Sequence, residues 1–72
     1  MVKPTRVTNS IRAVREAAGM TQAELARQIG VTRQTLIAIE QGRYSPTLEL
    51  AFLISRVFGT ALDDLFQYPE EN

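Results

Sequence analysis

Residues 21–41 read TQAELARQIGVTRQTLIAIEQ. Thr21 stands three residues before Glu24, the spacing of a capping box that opens a helix by satisfying its first amides reciprocally. Behind that cap Leu25, Ala26 and Ile29 fall on one helical face. Gly30 ends the segment, since glycine just past a helix accepts the left-handed conformation without a Cβ penalty. Thr32 caps a second segment that turns Leu36 and Ile39 inward. The spacing therefore predicts helices over 21–29 and 32–41, with only Gly30 and Val31 between them. Two short helices joined so briefly must cross steeply. Val31 is expected under the turn, and Ala26 is small enough for close approach. Spacing alone leaves a generic pair within a helical bundle as the alternative.

The same punctuation extends outward. Gly19, Gly42 and Gly59 also follow helix-like segments. Asn9 or Ser10 precedes Ile11, Val14 and Ala18, which are spaced at three and four. Thr47, after Pro46, leads into a mostly buried helix running to Phe58, and a last short turn spans about residues 62–66. No segment alternates with period two, so the class is all-α with five short helices. The ends lack helix signals, with Pro4 and Pro69 bracketing them as extended arms. Arg6-Val7 and Phe66-Gln67-Tyr68 are candidates for a minimal two-stranded ribbon. Three parts are expected: an N-terminal arm over 1–8, one domain over 9–66 and a C-terminal tail over 67–72. There is no internal repeat or interdomain linker.

Composition removes whole classes of chemistry. In 72 residues there is no cysteine and no histidine, so thiolate metal sites, disulfides, catalytic triads and the usual general base near neutrality are all missing. Asp63 and Asp64 are adjacent carboxylates, but near a helix start the dipole favours acidic groups for structural reasons, and as a metal site the pair lacks further ligands. No apolar run approaches the ~18 residues that span a bilayer, and the first residues lack the apolar stretch of a secretory leader. A cytoplasmic protein that works by binding is expected, without metal, cofactor, small-molecule ligand or membrane.

Formal charge sums to zero, yet residues 1–46 hold seven basic against three acidic side chains while residues 47–72 hold one against five. A charge field acts locally, being screened within about 10 Å, so the basic half points to a polyanion despite the neutral total. The third helix gives that half a reading surface. On a wheel of about 100° per residue, Arg33, Gln34, Ile37 and Gln41 lie opposite Leu36 and Ile39, with Ala38 at the border. Arginine and amide side chains match the donor and acceptor pairs of guanine and adenine in the major groove, and an aliphatic group suits a thymine methyl. For Ile37 the plainer alternative is an isolated surface apolar residue.

Residues 21–26 (TQAELA), 30–35 (GVTRQT), 39–46 (IEQGRYSP) and 62–66 (LDDLF), in this order and spacing, resemble the phage repressor and Cro family of helix-turn-helix proteins. The likeness spans about residues 9–66 and is strongest to short single-domain bacterial regulators of the cytolysin-repressor type. It implies a repressor-like five-helix DNA-binding domain. By that likeness Gln22 bonds a phosphate and braces the recognition helix, Arg33 and Gln34 reach base edges, and Arg43 and Tyr44 grip the backbone. Arg15 and Glu40 match a pair that ties the first helix to the end of the third. Two positions depart from the pattern. Ala61 stands where relatives often carry a capping serine, which leaves the cap to Thr60 or the helix end to fray. Ala38 stands where some place a groove-reading glutamine.

The resulting expectation is a dimeric regulator, a repressor rather than an activator, reading a palindromic duplex operator from a bacterial cytoplasm and nucleoid. The full DNA surface comprises Gln22, Thr32, Arg33, Gln34, Ile37, Ala38, Gln41, Arg43 and Tyr44. Useful specificity needs two half-sites and hence a two-fold dimer. Ala51, Ile54 and Phe58 supply the inward stripe of the fourth helix, so the surplus apolar groups Phe52, Leu62 and Phe66 are the expected interface. The competing role on the same fold is the antitoxin of a toxin–antitoxin pair, its acidic half holding a partner protein.

Overall fold

A computed structural model describes residues 5–70. Residues 1–4 and 71–72 of the expected arms, Pro4 among them, lie outside the described residues. The helices are α1 (Ile11–Ala17), α2 (Gln22–Ile29), α3 (Arg33–Glu40), α4 (Leu48–Phe58) and α5 (Leu62–Leu65). A two-residue strand β1 (Thr8–Asn9) pairs antiparallel with β2 (Phe66–Gln67). The described residues form a five-helix domain closed by this minimal ribbon.

Local chemistry sets the helix ends. The capping box is present: the Thr21 hydroxyl accepts from the Glu24 amide at 3.1 Å and the Glu24 carboxylate accepts from the Thr21 amide at 2.8 Å. Thr32 and Thr47 cap α3 and α4 in the same way through the amides of Thr35 and Leu50. At the turn between α2 and α3, Gly30 adopts φ 76°. There its amide donates to Arg27 O and that of Val31 to Ala26 O, the Schellman pairing that uses two orphan carbonyls.

Among the described residues six large side chains are fully shielded from solvent: Ile11, Leu25, Leu36, Ile39, Ile54 and Leu65. They come from all five helices and form one cluster with Ala26 and Ile29, against which Val31 packs from the turn. Burying one such aliphatic side chain stabilises the fold by roughly 1.5–3 kcal/mol.

Three expectations are corrected. The first strand is Thr8–Asn9 rather than Arg6-Val7. The Ser10 amide donates to Leu65 O at 2.8 Å, so the ribbon forms from the residues that run directly into α1 and out of α5. Arg6 instead stands over the Tyr68 ring, 5.3 Å from its centroid. Second, α5 stops at Leu65 and Phe66 is extended, with φ −125° and ψ 138°. Pairing with Asn9 draws Phe66 out of the helix, so it does not share a helical face with Leu62 and packs instead against the core. Third, Thr60 does not cap α5: its hydroxyl donates back to Phe58 O, and the start of α5 at Ala61 has no side-chain cap.

Candidate nucleic-acid interface

Helix α3 presents Arg33 and Gln34 to solvent, Gln41 is exposed at its C-terminal cap, and Ile37 and Ala38 are half-buried. The partial withdrawal of Ile37 has a local cause. An open cleft of about 690 Å³ runs between the end of α1, the start of α2 and the outer side of α3, and Ile37 lines it beside Gln22, Arg33 and Gln41. Its aliphatic surface forms part of the wall rather than a knob in water. Gln34, Ala38, Thr32, Arg43 and Tyr44 lie outside this cleft. Arg43 and Tyr44 are exposed just beyond the turn that ends α3. The Thr32 hydroxyl, besides accepting the Thr35 amide, donates to the Thr35 hydroxyl at 3.0 Å, so much of its capacity is spent on the cap.

Behind the cleft lies a chain of charge-assisted contacts. Arg15 donates from Nε to Glu40 Oε2 at 2.8 Å and from Nη2 to Glu40 Oε1 at 3.3 Å. Its remaining terminal nitrogen donates to Met20 O at 3.0 Å. The two side chains are only 9% and 4% exposed. Such burial is tolerated because donors and acceptors are satisfied, and among the described residues no buried side-chain polar atom lacks a partner. The bond to Glu40 holds the Arg15 guanidinium above its ordinary pKa against the pull of burial. Gln22 then donates from Nε2 to Glu40 Oε1 at 3.2 Å, and its Oε1 accepts from Arg33 Nη2 at 3.4 Å. This fixes the sense of the Gln22 amide: its nitrogen faces the acid and its oxygen faces the arginine.

Sequence reasoning missed Arg12. It lines the same cleft, exposed, in an i,i+4 pair with Glu16 at 3.2 Å. An ion pair of that exposure contributes little to stability, so the guanidinium can exchange its partner for an anion at small cost. Its signal in the sequence was only its membership of the basic half. Glu24, by contrast, is committed to structure, its pKa lowered by the backbone and side-chain hydrogen bonds of Thr21.

The arrangement is a short helix with an exposed arginine–amide edge, braced from behind by a neutralised ion pair and flanked by cations. A helix-turn-helix family model matches residues 11–65. The chain belongs to the Cro/C1-type helix-turn-helix family. That family is one of DNA-binding regulators, not of enzymes. An HTH-type transcriptional regulator of Methanothermobacter thermautotrophicus, itself uncharacterised, is 52% identical over 62 residues, covering 85% of this chain and 90% of that one. The cryptic phage CTXphi transcriptional repressor RstR of Vibrio cholerae is 32% identical over 65 residues, 90% of this chain and 59% of its own. The antitoxin HipB of Escherichia coli is 37% identical over 51 residues, 71% and 58% of the two chains. A crystal structure from Bacteroides fragilis superposes with a TM-score of 0.77 over 85% of this chain and 98% of that one, at 20% identity, and so shares the fold. Among the described residues no helix is long and apolar enough to cross a membrane.

Proposed function

We propose that this helix-turn-helix protein is a dimeric, sequence-specific transcriptional repressor of the cytoplasm that reads a palindromic operator with α3. One observation carries the reading: Arg33, on the exposed first turn of α3, is held by Gln22, which is itself anchored on the buried Glu40. A guanidinium presented in a set direction loses less side-chain entropy when it forms its paired bonds to a guanine edge. Gln34 and Gln41 add amides for adenine, and Ile37 and Ala38 add apolar contact. Gln22, Arg43 and Tyr44 would hold phosphates, with Thr32 joining them by turning its hydroxyl hydrogen away from Thr35, and Arg12 at the mouth of the cleft; these contacts would set register rather than sequence. The DNA-binding domain would span 9–66, with Thr8 and Gln67 of the flanking segments pairing across its ends.

Exposed apolar surface supports the dimer. Phe52 is 49% exposed and Leu48, one turn earlier on α4, is 69% exposed. Leu62 is half-buried and outside the core cluster, whereas Phe66 is largely taken up by the core. The interface therefore centres on Phe52 and Leu48 with Leu62, and Phe66 contributes only its outer edge. Two-fold pairing would set the recognition helices about one helical turn, ~34 Å, apart. Similarity to the repressor RstR favours repression.

The antitoxin reading keeps the same DNA surface and gives the acidic second half to a protein partner, and similarity to HipB supports it. Selecting bound duplexes from a random pool, then measuring anisotropy on the recovered site, tests both. A recovered palindrome supports the dimeric repressor, recovery of no preferred sequence refutes it, and co-purification of a stoichiometric toxin favours the antitoxin.

A further inference from the structure

Asn9 lies in β1, directly opposite Phe66, and ends its strand at the entry to α1. Its side chain points two ways. Oδ1 accepts from the Ile11 amide at 3.1 Å, which caps the first turn of α1 in place of Ser10, whose side chain makes no cap bond. Nδ2 donates to Ile39 O at 2.8 Å, across a separation of 30 residues. That carbonyl belongs to the last turn of α3, where carbonyls lack intrahelical partners. It also accepts from the Gly42 amide at 3.0 Å, while the Arg43 amide donates to Ala38 O. Both lone pairs of Ile39 O are thus used, one by the turn that launches Arg43 and Tyr44 and one by Asn9.

The surroundings make this bond more than decoration. Between the segment before α1 and the end of α3 is an open recess of about 280 Å³ lined by Val7, Thr8, Asn9, Gln41 and Gly42 among others. The Asn9 bond lies beside this recess and is a direct polar tie between the two segments. Arg15 ties Glu40 to the end of α1, and Asn9 ties the adjacent Ile39 to its beginning. The C-terminus of α3 is held at two points along α1, and one of them is continuous with the terminal ribbon.

We infer that Asn9 is a positioning residue for DNA recognition, fixing the end of α3 and the start of the Arg43–Tyr44 loop relative to the terminal ribbon. This rests on the proposed reading of α3 as the recognition helix. The asymmetry of the amide allows its two bonds to be separated. Asn9→Ser keeps an acceptor for the Ile11 amide but is too short to reach Ile39. Asn9→Asp keeps the acceptor, loses the donor and sets a negative charge against helix C-terminal carbonyls. Operator affinity should fall about fivefold in Asn9→Ser and about tenfold or more in Asn9→Asp, at a temperature where circular dichroism shows folded protein. Amide exchange should quicken at Gly42 and Arg43 in both while Ile11 stays protected. Wild-type affinity, or exchange that quickens equally in every helix, would overturn the inference. Should Asn9→Asp fail to fold, Asn9→Ser decides. Failure of the wild-type protein to prefer any duplex would sink the DNA reading, whereas the exchange pattern would still judge the bracket.

Discussion

The Arg15 guanidinium and the Glu40 carboxylate meet through two hydrogen bonds, at 2.8 and 3.3 Å, although 25 residues separate them in the chain. This pair joins the end of α1 to the end of α3, and Gln22 uses the same carboxylate to approach Arg33. Glu40 therefore links the stability of the domain to the aim of its reading helix.

Removing Glu40 strands a buried cation. Glu40→Ala is expected to cost ~3–5 kcal/mol, whereas replacing both partners with apolar side chains of similar volume should be close to neutral. Thermal unfolding by circular dichroism measures both. An unchanged melting temperature in Glu40→Ala would mean that the pair carries no stability. Because the Arg15 pKa is raised in the fold, its contribution is complete below the unfolded arginine value and disappears only in strong alkali. Ordinary buffers should not titrate it.

Glu24 behaves in the opposite sense. Its folded pKa is lowered by the Thr21 bonds, so its contribution is present above the unfolded glutamate value and is lost as pH falls through the folded one. Glutamine can fill the same place in a capping box without titrating. Between about pH 6 and pH 3, the melting temperature should fall further for wild type than for Glu24→Gln. Parallel curves would show that the capping box does not depend on the charge.

Base and phosphate contacts separate by their dependence on sequence and salt. Arg33→Ala or Gln34→Ala should cost roughly 1–3 kcal/mol on the selected operator and relax preference at one base pair. Arg43→Ala should weaken operator and random DNA alike and lower the salt slope by about one. Anisotropy titrations at several salt concentrations read both quantities. Equal losses on all sequences for Arg33→Ala would demote it to a phosphate contact.

Assembly can be probed without disturbing the core, since Phe52 is half-exposed. Phe52→Glu is expected to sediment as a folded monomer at micromolar concentration and to lose operator binding. Leu62→Glu should act in the same direction. An unchanged dimer in both would place the interface elsewhere.

What the chain order alone determined was the presence of the helices and the capped ends of α2, α3 and α4. Thr21 with Glu24, Thr32, Thr47 and the left-handed Gly30 act over three to five residues, so their outcome does not wait for the fold. The inward faces followed for the same reason: helical period places Leu25 with Ile29 and Leu36 with Ile39, and all four are in the core. The choice of long-range partners was different. Gln22 could have turned to solvent, and it is packing of α2 on α3 that brings it between Glu40 and Arg33. Phe66 has the spacing of a helical residue after Leu62, but its strand partner Asn9, at the far end of the chain, draws it into extended backbone. Asn9 itself reads as a helix cap, and only the folded chain brings the Ile39 carbonyl within its reach. Short-range hydrogen bonds are set by sequence spacing, whereas bonds between distant residues exist only after the apolar core has closed and chosen which polar groups face each other.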